Sequence, residues 1–97
     1  TAKLEPLAEG FRNAADLGWS PDSRWIVFPG QFGADFESAG LWAYNLASRE
    51  RQLLASGHFQ SPSWSPDGRS IAAVESVGDY PINVTKRIVV LDASTLR

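Results

Sequence analysis

One motif is written twice in this 97-residue chain. The stretch "WSPDSRWIVF" begins at Trp19, and "WSPDGRSIAAV" begins at Trp64, forty-five residues later. A second pair of similar segments follows: "LWAYNLAS" begins at Leu41 and "IVVLDAST" at Ile88, an offset of 47. Self-similarity with a period of 20 to 50 residues indicates one structural unit per repeat. The chain is therefore predicted to contain two units of one kind.

Each unit reads as a set of short strands. Aromatic and β-branched residues favour strands at 25–27 and 88–90. A third strand is predicted over 41–47 and a fourth over Arg51–Ala55, joined by a tight turn. Four strands in about 45 residues is the size of one propeller blade.

The repeated turn has a physical explanation in its residue types. In the second copy Pro66 presets φ, Asp67 accepts hydrogen bonds from backbone N–H groups, and Gly68 takes a left-handed conformation. Ser23 stands where the first copy would need that glycine. Because the motif recurs in both units, we expect its residues to build the scaffold rather than a catalytic site. They are Trp19, Pro21, Asp22, Trp64, Pro66, Asp67 and Gly68.

The signature "WSPDG-R-x-I" followed by "I-V-V-L-D" resembles the TolB-type propeller repeat, which also occurs in the propellers of prolyl-oligopeptidase-type serine peptidases. The resemblance covers residues 17–97, and the first copy departs from it at Ser23 and Asn45. It implies an all-β fold, a β-propeller with two four-stranded antiparallel blades per chain, as part of a six-bladed ring. The implied role is a binding platform, since a fold alone does not fix a function.

The ends of the chain suggest how the blades are divided. "KLEPLAEG" at Lys3–Gly10 resembles "RQLLASG" at Arg51–Gly57. We therefore predict one propeller segment over 1–97, composed of an outer strand of a neighbouring blade over 1–10, a first blade over 17–55, and a second blade over 62–97 that lacks its fourth strand.

Two further expectations concern the N-terminal region. A short helix over Leu7–Leu17 is the alternative to a strand followed by a loop, although Gly10 and Asn13 weaken it. If the strand reading holds, we expect the segment around Lys3–Ala8 to complete the open blade of the next chain, head to tail. Three chains would then form a six-bladed homo-oligomer, a trimer, and four would form eight blades.

Composition excludes several classes of function. Nine basic and eleven acidic residues are scattered along the chain and give a net charge of −2, so we predict no nucleic-acid partner. The apolar runs are too short for membrane insertion. The absence of cysteine removes disulfides and thiolate sites. We predict no cofactor and no metal. A chain that begins at Thr1 and contains no Met is expected to be an excised or processed segment.

Binding residues are expected on the longer loops. A propeller places its tight turns on one face and its longer loops on the other, here Gly10–Ala15, Pro29–Gly40, Gly57–Pro62 and Val77–Lys86. Such loops hold binding side chains because the strands position them rigidly. The candidates are Phe11, Arg12, Phe32, Asp35, Phe36, Glu37, His58, Phe59, Asp79, Tyr80 and Lys86.

These loops carry no recognisable catalytic pattern. Asp35 and Glu37 could form a carboxylate pair or help to hold Ca²⁺, but solvated loop acids are commoner than either. His58 could act as a general base, but the sequence offers it no partner in a known motif. The chain contains no G-x-S-x-G, H-E-x-x-H or P-loop pattern. We therefore predict no catalytic residue.

Three functions remain open at this point. The first is a non-enzymatic propeller scaffold that binds a protein or peptide partner through its loop-rich face. The second is a fragment of the substrate-gating propeller of a prolyl-oligopeptidase-type peptidase. The third is a bare structural module that assembles with other copies of itself. The family resemblance favours the bacterial periplasm or cell envelope as the location.

Overall fold

The computed structural model describes residues 4, 6, 9–12, 16–34, 36–78, 84–94 and 96. Within these ranges the chain is built from strands, which confirms the all-β prediction. The strands are β1 Phe11–Arg12, β2 Gly18–Trp19, β3 Trp25–Phe32, β4 Gly40–Asn45, β5 Arg51–Ser56, β6 His58–Trp64, β7 Ser70–Val77 and β8 Thr85–Asp92. A 3₁₀ turn at Phe36–Ser38 is the one helical segment described, and no helix there is long or apolar enough to cross a membrane.

The strands form two antiparallel sheets. The first is four strands wide, in the order β1-β3-β4-β5, and β2 also pairs with β3. The second has three strands in the order β6-β7-β8. Each sheet thus follows one copy of the sequence repeat. Among the described residues, no strand pairs with β8 on the side away from β7. This arrangement is consistent with a fragment of a propeller.

The N-terminal predictions have different outcomes. The helix over Leu7–Leu17 is wrong for the described residues, because Phe11 and Arg12 form β1 opposite the end of β3. The left-handed φ of 87° at Gly10 and of 54° at Asp16 also fit a helix poorly. The predicted outer strand over 1–10 lies largely outside the described residues.

All four of the predicted loops are partly strand. β3 continues to Phe32 because its last residues pair with β1, a partner that lies far away in sequence. β6 already begins at His58, although Pro62 lies within it. A bulge between Gln60 and Ser63 interrupts the strand pairing there, and this accommodates Pro62 because proline has no N–H to donate. Phe11, Arg12, Phe32, His58, Phe59 and Lys86 therefore lie in strands rather than in loops.

The core lies between the two sheets. Successive residues of a strand point to opposite faces, so each sheet presents one set of side chains to the other. The residues buried in this layer are Trp25, Val27, Leu41, Ala43, Ile71, Ala73 and Ala93. The alternate residues of the first sheet, Ile26, Phe28, Trp42 and Tyr44, form a second buried cluster on its opposite face.

Trp64 connects the two sheets. Its half-buried ring packs against the shared core, and its indole Nε1 donates a hydrogen bond to the Gly18 carbonyl oxygen at 3.2 Å. The backbones approach closely here, since a Cβ at Gly18 would lie 3.0 Å from the Pro62 carbonyl oxygen. The repeat counterpart of Trp64 is Trp19, whose side chain is 58% exposed.

The repeated turns have the same hydrogen bonds in both copies. Ser20 Oγ donates to Asp22 Oδ1 at 2.6 Å and accepts from the Trp25 N–H at 2.9 Å. Ser65 Oγ likewise donates to Asp67 Oδ1 at 2.6 Å, and it accepts from the N–H of Ser70, which is the counterpart of Trp25, at 3.0 Å. The hydroxyl and carboxylate together fix the path of the chain into the next strand.

The first copy departs from the repeat at Ser23 and Asn45, and each residue keeps the local geometry of its counterpart in the second copy. Ser23 has a φ of 63°, close to the 74° of Gly68, which confirms its left-handed position. Asn45 Oδ1 accepts from the N–H groups of Ala47 and Ser48, and Asp92 Oδ1 accepts from Ser94 in the same way. The amide oxygen of asparagine therefore replaces the carboxylate at the end of the third strand.

Substitutions at the two left-handed positions, 23 and 68, should change the free energy of unfolding in opposite directions. Ser23→Gly should raise the free energy of unfolding by about 0.5–1 kcal/mol, because glycine tolerates this φ without steric strain. Gly68→Ala should lower it by about 1 kcal/mol, since the added Cβ meets only Pro21 at 3.8 Å and the penalty comes from the backbone. Urea unfolding of both variants measures this, with Ser23→Ala as the control that keeps a Cβ. A stabilised Gly68→Ala would contradict the assignment.

Candidate functional site

The two ends of the sheets differ in what they carry. One end holds the tight turns at Ser20–Ser23 and Ser65–Gly68. The other end, called here the loop end, holds the β3–β4 connection over 33–39 and the junction at Gly57. Most of the β7–β8 connection, with the candidates Asp79 and Tyr80, lies outside the described residues, as does Asp35. The proposed pair of Asp35 and Glu37 therefore also lies outside them.

The β3–β4 connection is held by buried polar contacts. Ser38 is buried, and its Oγ accepts from the Phe32 N–H at 2.8 Å and donates to the Phe32 carbonyl at 3.2 Å. The Trp42 indole donates to the carbonyl oxygens of Ser38 and Gly30 at 3.0 and 3.2 Å. These bonds close the connection onto the end of β3. Phe36 opens the 3₁₀ turn within it, and Glu37 is exposed there.

Aromatic rings pack at this end of the first sheet. The Phe11 ring lies 4.9 Å from Phe28, 5.4 Å from Phe32 and 5.2 Å from Trp42, measured between centroids, with steep interplanar angles. Such edge-to-face pairs stabilise beyond the area they bury. Phe11 is therefore a packing residue of this cluster, and Phe32 is its most exposed member at 37%.

Arg51 lies over the exposed ring. Its guanidinium carbon is 4.1 Å from the Phe32 ring centroid and 5.9 Å from that of Phe11. The ring faces attract the cation, while the guanidinium N–H groups stay available at the surface. Sequence reasoning missed Arg51, because its position depends on the pairing of β5 with β4 and no local motif marks it.

A small cavity opens at the same end of the sheets, where they meet. Its volume is about 100 Å³, and its walls are Pro29, Gly30, Gln31, Ala39, Gly40, Gly57, His58 and Phe59. Small-molecule sites usually measure about 300–1,000 Å³. A cavity of this volume has room for one side chain. A Cβ at Gly40 would overlap the Ala55 carbonyl oxygen and lie 2.7 Å from Leu53 Cδ1, so the wall requires glycine there.

The second sheet separates its candidates onto two faces. His58, Ser76 and Lys86 are cross-strand neighbours, so their side chains share the outer face. His58 and Lys86 are both exposed. Phe59 points to the opposite face and packs against the core between the sheets. In the described part of the chain, no group of three or more His, Asp or Glu residues could hold a metal ion.

Among the described residues, three carboxyls have shifted pKa values, and all three belong to turns away from the loop end. The pKa of Asp22 lies below its ordinary value of 3.8, first because Ser20 Oγ donates to it and next because the Arg24 N–H does. Ser65 and the Arg69 N–H lower the pKa of Asp67 in the same way, and Ser94 lowers that of Asp92. These acids are exposed and serve turn geometry.

Known proteins share sequence with part of this chain. No family model matches. The Tol-Pal system protein TolB of Alcanivorax borkumensis is 39% identical over 59 residues, 56% of this chain. The uncharacterized peptidase YuxL of Bacillus subtilis is 32% identical over 76 residues, 76% of this chain. The aligned parts span 12% and 11% of those relatives. The similarity supports a propeller-type relationship.

The turn acids predict a pH dependence of stability. Because their pKa values are lower in the folded state, the stability they contribute is present above the unfolded pKa and is lost as the pH falls through the folded one. Replacing two of the three with Asp22→Asn and Asp67→Asn should flatten the fall in the free energy of unfolding below about pH 4, since an amide oxygen still accepts the backbone bonds.

Urea unfolding at pH 7 and at about pH 3 measures this difference. The control removes two other exposed carboxyls with Glu9→Gln and Glu50→Gln. An equal flattening in the control would show that general charge repulsion, not the turns, sets the acid sensitivity.

Proposed function

We propose that this chain is a non-enzymatic propeller-type scaffold that binds a protein or peptide partner through the loop end. The single observation that supports this most is the exposed pair of Phe32 and Arg51, with the ring 4.1 Å from the guanidinium. Aromatic and arginine side chains are enriched at the energetic centres of protein interfaces. The Ser38 hydroxyl holds the backbone of Phe32 in this position through two hydrogen bonds.

The chemistry of the loop end suggests what the partner presents. The cavity of about 100 Å³ suits one apolar side chain, such as leucine or valine. The guanidinium of Arg51 suits a carboxylate, which it can bind with two parallel hydrogen bonds. The two features lie on opposite faces of the first sheet, so a peptide that spans the loop end would carry its apolar and its acidic residue several positions apart. A location in the cell envelope is part of this proposal and rests on the family resemblance.

The partial similarity to the uncharacterized peptidase YuxL favours a second candidate. In that case the two sheets belong to the propeller that gates substrate entry to a serine peptidase. The reading frame beyond Arg97 discriminates the candidates. A downstream G-x-S-x-G would favour the peptidase, and its absence from the complete frame would favour the scaffold.

Selection from a displayed library of random 12-residue peptides tests the scaffold proposal. We expect enriched peptides to pair an apolar residue with an acidic one. Arg51→Gln and Phe32→Ser should each weaken binding of the enriched peptides by about tenfold or more. Arg24→Gln, an exposed arginine at the tight-turn end, is the matched control and should bind normally.

Two results would contradict the proposal. One is equal loss of binding in Arg24→Gln, which would place the contact elsewhere. The other is cleavage of the selected peptides by the purified chain, which would make it an enzyme.

A further inference from the structure

The outer face of the second sheet exposes apolar side chains. Ile88 is 80% exposed and Val90 is 68% exposed, both on β8. Val74 and Ala72 of β7 stand directly opposite them in the ladder, so the four side chains share one face. An apolar patch of this kind on a sheet marks a surface that another element covers.

The repeat shows what happens to the same positions in the first sheet. At the repeat offsets, Ile88 corresponds to Leu41, Val90 to Ala43 and Ala72 to Val27. All three counterparts are 0% exposed and lie in the core between the sheets. The same face is therefore buried in one unit and open in the other.

The element that covers the first sheet is the inner face of the second. Ile71, Ala73, Val89 and Leu91 provide this cover, and Trp64 fixes it through the hydrogen bond to Gly18. The repeat offsets assign the counterparts of these residues to the first sheet: Ile26, Phe28, Trp42, Tyr44 and Trp19. The first sheet of a second copy thus carries the set that would cover the open face.

We propose that the outer face of the second sheet docks the first sheet of a second copy of this chain, head to tail. The Trp19 indole of one copy donates to the Ser63 carbonyl of the other, as Trp64 donates to Gly18 within the chain. The contact joins two different surfaces, so it can repeat from chain to chain and close into a ring. Three copies contain six sheets.

The two surfaces of this contact differ in how exposed they are in the single chain. Ile88, Val90 and Trp19 are already exposed. Ile26, Phe28, Trp42 and Tyr44 are 5–9% exposed in the single chain, so this layer exchanges its present cover for the neighbouring sheet. We therefore expect association to be slower than the docking of two rigid surfaces. The same face of the first sheet carries Arg51, and its present cover includes Phe11, which also contacts Phe32, so assembly is measured in the absence of any peptide.

Complementary variants test the proposal. Variant A carries Trp19→Asp and loses the first-sheet side of the contact. Variant B carries Ile88→Asp and Val90→Asp and loses the second-sheet side. Size-exclusion chromatography with light scattering should show wild-type assemblies of more than one chain, with three chains where the ring closes. Each variant alone should be a monomer, and an equimolar mixture should form a dimer through the one intact contact.

A control variant carries two added charges outside the contact. Ala47 lies in a turn and Gln52 points away from the docking face, so Ala47→Asp with Gln52→Asp adds two exposed charges and should assemble like the wild type. Circular dichroism should show that every variant is folded. A wild-type monomer up to about 1 mM would overturn the proposal. Assembly of variant A alone, with no rescue in the mixture, would instead show a two-fold contact between second sheets and would also overturn it.

Discussion

The contact between the two sheets is the interaction on which the rest of the structure depends. A three-stranded or four-stranded sheet has two faces, and in a chain of this length neither sheet can bury its apolar side chains alone. The most deeply buried side chains, Val27, Leu41 and Ile71, come from both sheets and meet in one layer. Trp64 adds a directional bond across this layer, and Gly18 lets the innermost strands approach closely enough for that bond. The register of one sheet against the other follows from these contacts.

The tight turns give the two units the same local geometry next to their tryptophans. A serine hydroxyl and an aspartate carboxylate hold the start of the second strand, so the tryptophan just before the turn leaves the sheet at a fixed position. The loop end does not position a tryptophan of the repeat. At that end the buried Ser38 hydroxyl accepts a hydrogen bond from the backbone of β3. This division of roles is consistent with the exposed Phe32 lying at the end away from the repeat turns, where the Arg51 side chain reaches it from the start of β5.

The repeat made most of the fold predictable. Strand positions, the left-handed φ at Ser23 and the packing role of Trp64 follow from local residue types and from the comparison of the two copies. The candidate site was less predictable. His58 and Phe59 lie in a strand because Pro62 is accommodated by a bulge, and Phe11 packs among rings supplied by two other strands. These arrangements depend on contacts between residues that are distant in sequence, which a local pattern does not encode.

The central claim is that one tryptophan of the repeated pair joins two sheets while its counterpart faces outward. Denaturant unfolding of Trp64→Ala and Trp19→Ala, measured at a low protein concentration where chains are separate, tests it most directly. Trp64→Ala should lower the free energy of unfolding by about 3 kcal/mol or more, because a ring in the shared core and its hydrogen bond are lost. Trp19→Ala should change it by less than about 1 kcal/mol. Equal losses in the two variants would contradict the account.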